Sequence, residues 1–135
     1  MRVVVDTNVF ISSFFGGNPR KVIDYWLSGK ITLCVSKTIL KEYFDVMSRF
    51  KFDDETLLLR LISAFEKSYN ILFVENPKEL EWIEDDPADN KFIACAVSLK
   101  AEYIVSGDVH LTKIKNIGKI KIVTPLEMDE IIRDK

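Results

Sequence analysis

Residues 2–14 have the sequence RVVVDTNVFISSF, in which a short apolar run ends abruptly at an aspartate. The run 3–5 is β-branched throughout and has no polar alternation, which is typical of a strand buried on both faces of a parallel sheet. Asp6 follows at the carboxyl end of this strand, and Asn8 lies two residues later. Ligands bind at that edge of an open α/β sheet, because the loops after the strands form a crevice that the packed helices leave uncovered. We therefore expect Asp6 to lie in a functional site.

The same pattern occurs once more, near the other end of the chain. The apolar stretch 103–105 leads into Ser106, Gly107 and Asp108, so a second predicted strand also ends in an aspartate. Adjacent parallel strands lie ~4.8 Å apart. If the two strands are neighbours, the carboxylates of Asp6 and Asp108 come within a few ångströms of each other.

The length and the charge of the chain limit what it can be. With 135 residues, it is long enough for one domain with a hydrophobic core and too short for two. Its 19 basic and 21 acidic residues give a formal net charge of -2, so no overall positive field attracts nucleic acid. A polyanionic substrate would need a local basic rim or a bound cation.

The cysteines and the N-terminus indicate the compartment. Cys34 and Cys95 lie in apolar surroundings without metal-type spacing, and we interpret them as reduced core residues. With one histidine and no CxxC or HxxxH pattern, a structural zinc site is not expected. Met1 leads directly into the first strand, and no apolar run approaches the ~18 residues of a membrane span. We expect a cytoplasmic protein without membrane contact.

Predicted strands and helices alternate along the chain. Apolar runs at 31–35, 71–74, 103–105 and 120–123 predict strands in addition to the first, and amphipathic stretches between them predict helices. Thr124, Pro125 and Glu127 form a capping-box signature that starts a C-terminal helix. Acidic residues over 75–86 predict a long connection of the kind that borders sites. The alternation predicts a doubly wound α/β domain with about five parallel strands and right-handed crossovers.

A third acidic position lies at the start of the helix predicted over 87–100. Asp86 precedes a proline and is expected to cap this helix. The residues three, four and seven positions after Asp89 are apolar, so Asp89 points toward the core side of the helix. A carboxylate there takes up a proton or binds a cation, because an isolated buried charge is very costly. The alternative for Asp89 is a capping acid stabilised by the helix dipole.

Several carboxylates at one edge of a sheet indicate a particular chemistry. Asp6 and Asp108 could each cap the helix that follows, but a close pair stays doubly ionised only at high cost unless a divalent cation lies between them. Oxygen ligands without cysteine or histidine are those that Mg²⁺ or Mn²⁺ prefers. Such a cation activates water and neutralises charge on a phosphoryl group. The acidic set therefore indicates phosphodiester or phosphate chemistry.

Taken in order, these motifs resemble a known family. The chain resembles the PIN-domain ribonucleases, and within them the small single-domain VapC-like group of toxins from toxin–antitoxin pairs. The resemblance covers essentially the whole chain and rests on VDTN at 5–8, an acid on a mid-chain helix, DPADNKFI at 86–93 and VSGD at 105–108. Each motif alone is weak, whereas the ordered set is fairly specific.

The resemblance implies site residues by position. The four catalytic acids of the family correspond to Asp6, Glu42, Asp89 and Asp108. The first, third and fourth of these would hold the metal, and the supporting positions are Asn8, Ser106 and Asp86. The resemblance also implies a three-layer α/β/α fold with a five-stranded parallel sheet, dependence on Mg²⁺ or Mn²⁺, and endonucleolytic cleavage of single-stranded RNA. A small antitoxin that covers the acidic cleft and a second copy of the chain in a homodimer are the implied partners.

Two positions depart from this pattern. Glu42 rests mostly on the resemblance, because the helical wheel places it off the apolar face and predicts a solvated side chain. Many relatives carry another acid two residues after the fourth, where this chain has His110. We interpret His110 as a surface or rim residue, and the second metal site as weak or absent.

Other functions were weighed on the same residues. A phosphatase nucleophile is followed two residues later by a second aspartate, where this chain has Asn8, and a receiver needs an acidic pair on its first strand. Neither pattern fits. The remaining alternative is a PIN-like protein-binding module with weak or no catalytic activity. Clustered acids without a cation would destabilise the fold, which favours the nuclease.

Overall fold

The valine run forms β1 (Arg2–Val5), and its three valines are fully buried. The structure is a computed structural model that describes residues 1–77 and 87–135, apart from the side chains of 87–89. After β1 come α1 (Thr7–Ser12), a 3-10 turn (Ser13–Phe15), α2 (Gly17–Leu27), β2 (Thr32–Ser36), α3 (Lys37–Arg49), α4 (Glu55–Glu66) and β3 (Ile71–Val74). The second half contains α5 (Pro87–Ser98), β4 (Tyr103–Val105), α6 (Val109–Thr112), β5 (Asn116–Ile117), β6 (Ile120–Val123) and α7 (Pro125–Arg133).

The order of the strands creates a switch point beside β1. Within the described ranges the sheet has six strands in the order β3-β2-β1-β4-β6-β5, all parallel except β5. From β1 the chain builds outward through β2 and β3, and it then crosses to the other side for β4. Right-handed crossovers in opposite directions place helices on both faces, which gives the predicted three-layer α/β/α architecture. The crevice of such a sheet lies between β1 and β4.

The five predicted parallel strands are confirmed, and the described sheet has one further strand that was not predicted. The additional strand, β5, pairs antiparallel with β6 through Ile117 and Ile120, and Gly118 turns the chain between them at φ 57°. A strand of two residues is too short to show a hydrophobic period, so the sequence pattern did not predict it. The strand expected at 31–35 lies at 32–36.

Side-chain caps mark where three of the helices begin, and the cap at Thr124 confirms the predicted start of α7. Ser36 accepts a hydrogen bond from the backbone N–H of Ile39 at 3.2 Å and starts α3. Thr124 and Glu127 form the reciprocal capping box that starts α7, with distances of 3.0 and 3.2 Å. Helix α1 begins at Thr7 because the Asp6 side chain caps it. The caps fix where these helices begin, and the buried faces of the helices pack into the core.

An aromatic stack joins α1 and α3 beneath the end of β1. The rings of Phe10 and Tyr43 are parallel with centroids 4.3 Å apart, and both residues are fully buried. The hydroxyl of Tyr43 donates a hydrogen bond to the carbonyl of Val5. Since Val5 immediately precedes Asp6, this contact helps to set where the strand ends.

Further predictions concern the two cysteines, the acidic connection and membrane spans. Cys34 and Cys95 are buried free thiols, as predicted, and burial raises their pKa values to about 11 and about 12. Most of the long connection predicted over 75–86, and the predicted cap Asp86, lie outside the described residues. None of the described helices combines the length and apolar character that a membrane crossing requires.

Asp129 helps to attach the last helix, α7, to α2. It lies on α7, is 1% exposed, and accepts a hydrogen bond from the Tyr25 hydroxyl on α2. Arg133 Nε and Lys21 Nζ lie 3.1 and 3.6 Å from its Oδ2 atom. The hydrogen bond from Tyr25, together with these cations, lowers the pKa of Asp129 below its ordinary value of 3.8.

We predict that Asp129→Asn lowers the melting temperature at neutral pH. A carboxylate with a lowered pKa stabilises the fold fully above pH 3.8, and this contribution is lost as the pH falls through the lowered value. The difference in melting temperature from wild type should therefore shrink in acid. Asp134→Asn, at the exposed end of the same helix, is the matched control. Equal melting temperatures for Asp129→Asn and wild type at neutral pH would contradict the prediction.

Candidate active site

Asp6 is a buried carboxylate at the carboxyl end of the central strand. Its backbone N–H continues the ladder to the carbonyl of Val105 at 2.9 Å, and its side chain caps α1 by accepting the N–H of Asn8 at 3.2 Å. The residue is 4% exposed. The strand therefore delivers a carboxylate to the switch point, and the cap fixes one of its oxygens.

Ser106 connects this carboxylate to the second predicted aspartate. The hydroxyl of Ser106 donates to Asp6 Oδ2 at 2.7 Å and accepts the backbone N–H of Asp108 at 2.9 Å. Asp108 caps α6 by accepting the N–H of His110 at 2.9 Å. The structure thus brings Asp6 and Asp108 to one place, as the strand pattern predicted, with a fully buried serine between them.

The electrostatics of Asp6 are unfavourable for a negative charge. Burial raises the pKa of Asp6 above its ordinary value, and the negative charges of Asp108 and Glu42 raise it further. The hydrogen bonds from Ser106 and from the Asn8 backbone act in the opposite direction, and they do not cancel the effect of burial. A cation beside Asp6 would offset this cost.

Glu42 corrects the prediction from the helical wheel. Instead of being solvated, its side chain is 33% exposed and both oxygens have partners. Thr7 Oγ1 on α1 donates to Glu42 Oε1 at 2.5 Å, and Lys91 Nζ on α5 lies 2.6 Å from Glu42 Oε2. The wheel considers α3 alone, whereas two other helices reach this side of α3. Glu42 is therefore held near enough to Asp6 for its charge to raise the pKa of Asp6, and its catalytic role stays a prediction.

Thr7 is a candidate functional residue that the sequence pattern does not identify, and Lys91 is one of several basic residues that could contact an RNA backbone. Thr7 is 4% exposed and directly follows Asp6, and Lys91 directly follows the residue after Asp89. Their proximity to two predicted acids is the signal that could have identified them. The sequence pattern does not show that both side chains contact Glu42 on α3.

Further predicted positions at the site or its rim are Asp89, Asn8 and His110. Asp89 lies in the first turn of α5, and its side chain is not described; the apolar stripe that follows it is buried as predicted, at Phe92, Ile93 and Ala96. Asn8 is exposed at the rim and contacts Asp6 through its backbone N–H. His110 is exposed, as expected for a rim residue.

The donor set of this site fits a hard divalent cation. Asp6 and Asp108 present oxygen atoms, and Asp6 carries a buried charge that a cation would neutralise. Within the side chains that the structure describes, no group of three acidic, histidine or cysteine residues is arranged to hold a metal ion. Further oxygen ligands would therefore come from water or from Asp89 on α5.

A cleft opens beside these residues. Its volume is about 340 Å³, and its lining consists of Asn8, Val9, Ser12, Pro19, Gly107, Asp108 and Pro125. Larger cavities of about 510 and 600 Å³ are lined by other residues, without Asp6, Glu42 or Asp108. The smaller cleft is relevant to the site because Asp108 lines it.

Three comparisons relate this chain to known proteins. A family model described as PIN domain matches residues 2–110. An uncharacterized protein of Methanocaldococcus jannaschii is 33% identical over a 144-residue alignment that covers 96% of this chain and 90% of the relative. The crystal structure of VapBC2 from Rickettsia felis, bound to a DNA fragment from their promoter, matches with a TM-score of 0.58 and 13% identity, covering 92% of this chain and 98% of that chain. The last likeness is one of fold.

Removing the Ser106 hydroxyl tests the hydrogen-bonded core of the site. Ser106→Ala leaves Oδ2 of the buried Asp6 carboxylate without its donor and the Asp108 N–H without its acceptor, so we expect a loss of about 1–3 kcal/mol in the free energy of unfolding. Ser13→Ala is the matched control, because Ser13 is also fully buried but donates only to the Phe10 carbonyl in the preceding helical turn. Its loss should be smaller, about 1 kcal/mol. Equal losses in urea unfolding would show that the site places no special demand on Ser106.

Proposed function

This chain belongs to the PIN domain family, and we propose that it is a divalent-metal-dependent endoribonuclease that cleaves single-stranded RNA. PIN domains are generally nucleases, which sets the class of reaction. The observation that carries the proposal for this chain is the buried carboxylate of Asp6, joined to Asp108 through Ser106 at the switch point of the sheet. A structural role alone leaves this arrangement unexplained, because burial makes the charge of Asp6 costly.

The residues of the site divide into ligands and groups that position them. Asp6, Asp89 and Asp108 would hold Mg²⁺ or Mn²⁺, and a cation bound there would activate water and neutralise charge on the phosphodiester. Ser106 fixes the orientation of Asp6 by donating to Oδ2, while the N–H of Asn8 fixes Oδ1. Thr7 holds Glu42 at the edge of the same site. Asn8 also lies in the cleft beside Asp108, where an RNA strand would pass.

The charge of the chain supports a role for the cation in substrate binding. The formal net charge is -2, and the described site contributes the carboxylates of Asp6, Glu42 and Asp108. An RNA phosphate would be repelled by these groups unless positive charge is present among them. The cation would therefore serve both binding and hydrolysis.

The toxin role and the partners are further parts of the proposal. The similar Rickettsia felis structure contains a VapBC2 complex, and its fold supports a role for this chain as the toxin of a toxin–antitoxin pair. A small antitoxin would inhibit the enzyme by covering the acidic cleft. We also propose that the toxin is a homodimer.

Cleavage of an end-labelled single-stranded RNA tests the proposed function. We expect the wild-type protein to cut with Mn²⁺ or Mg²⁺ and to stop in excess chelator, since the acids cannot activate water without a cation. Asp108→Asn keeps the size of the side chain and removes its charge, and it should lower the rate by about 10²-fold or more.

The matched control is Asp45→Asn, an exposed aspartate on α3 one turn after Glu42. It should cut like the wild type. Equal cleavage by Asp108→Asn and wild type would identify the activity as a contaminant. Absence of cleavage by the wild type with either metal would favour the protein-binding module.

A further inference from the structure

Lys91 is a positively charged side chain at the edge of the acidic site. Its Nζ atom lies 2.6 Å from Glu42 Oε2, a short charge-assisted contact, and its side chain is 18% exposed. Its ammonium also lies 5.0 Å from the centre of the Phe92 ring. The group is therefore held between α3 and α5, and part of it faces solvent.

The contact changes what Glu42 can do. Thr7 occupies Oε1 and Lys91 occupies Oε2, so both oxygens of the carboxylate already have donors from the protein. A carboxylate held in this way is a poor ligand for a second metal ion, because the ion would have to displace or approach a lysine that is also positively charged. Glu42 nevertheless lies near enough to Asp6 for its charge to be felt there.

His110 also weakens a second metal site, because it stands where an additional acid would be a ligand. It is exposed and contacts Asp108 through its backbone N–H, and it adds no carboxylate to the rim. Among the described side chains, the acids that remain for a metal are Asp6 and Asp108. These suffice for part of the coordination of one cation, with water or Asp89 supplying the rest.

We infer that the site binds a single divalent cation, and that the Lys91 ammonium occupies the place of a second one beside Glu42. The ammonium offsets one carboxylate charge and presents its exposed side to a phosphate oxygen of the substrate. In two-metal nucleases the second ion supplies this positive charge. Lys91 supplies it here without a further ligand set. The inference rests on the proposed function for the identity of the phosphate, and on the contacts of Lys91 for the number of metal ions.

Calorimetric titration with Mn²⁺ tests the number of metal ions without measuring activity. We expect the wild-type protein to bind one Mn²⁺ per chain. Lys91→Met removes the charge and frees Glu42 Oε2, so a second, weaker Mn²⁺ should bind. Lys91→Met combined with Glu42→Gln should return the number to one. Lys41→Met, at an exposed lysine next to Glu42, is the matched control and should bind one.

Salt dependence of RNA binding tests the contact with phosphate. With fluorescent single-stranded RNA and excess chelator, one lost phosphate contact lowers the slope of log K against log salt by about 0.7. We expect this decrease for Lys91→Met and no decrease for Lys91→Arg, which keeps the charge. At a Mn²⁺ concentration that fills only the tighter site, Lys91→Met should lower kcat by about 10²-fold, and Lys91→Arg should retain most of the wild-type rate.

The outcomes separate this inference from the proposed function. Two Mn²⁺ ions on the wild-type protein would overturn the inference even if RNA is cleaved, and so would unchanged stoichiometry and salt slope in Lys91→Met. A single Mn²⁺ on wild type with two on Lys91→Met would support it even if no RNA is cleaved, in which case the ribonuclease proposal fails alone. If Lys91→Met does not fold, the stoichiometry of the wild type and of Lys91→Arg still decides, because both must bind one.

Discussion

The burial of the Asp6 carboxylate is the constraint on which the arrangement of this site depends. A strand that is buried on both faces ends at this residue, so the side chain enters the protein where water is scarce. The fold offers Asp6 two hydrogen bonds, from Ser106 and from the Asn8 backbone, and it also places Asp108 and Glu42 nearby. The donors keep the carboxylate in one orientation, while the neighbouring charges make its ionisation costly. Such a site favours a cation more strongly than an exposed cluster of acids does.

The surrounding elements fix this carboxylate in three directions. The backbone hydrogen bond from Asp6 to Val105 of β4 fixes the position of Asp6 along the strand. Tyr43 holds the preceding carbonyl from beneath, and its stack with Phe10 fixes the helix that Asp6 caps. On the remaining side Glu42 is held through two contacts that come from different helices. The candidate site therefore depends on the switch point in the strand order, where side chains from α1, α3, α5 and the loop after β4 come together.

Much of this could be predicted from local pattern. Short apolar runs predicted the central strands, and the placement of the aspartates after β1 and β4 followed from the rule that parallel strands end at one edge. What failed depends on contacts between distant segments. Glu42 is predicted to be solvated because a helical wheel contains no neighbours, and the contact of Lys91 with Glu42 could not be predicted because the two residues lie on different helices. The strand β5 is too short to have a period. Asp89 remains a prediction from its position on α5.

The most direct test of this account is the melting temperature of wild type and Asp6→Asn, first free of metal and then with Mn²⁺. If the charge of Asp6 is costly in the fold and is offset by a cation, the metal-free Asn variant should melt at or above the wild-type temperature. Mn²⁺ should then raise the melting temperature of wild type, in proportion to the logarithm of its concentration over the dissociation constant, and leave the variant nearly unchanged. A metal-free variant that is clearly less stable, together with a wild type that does not respond to Mn²⁺, would show that Asp6 is a structural cap and would contradict the account.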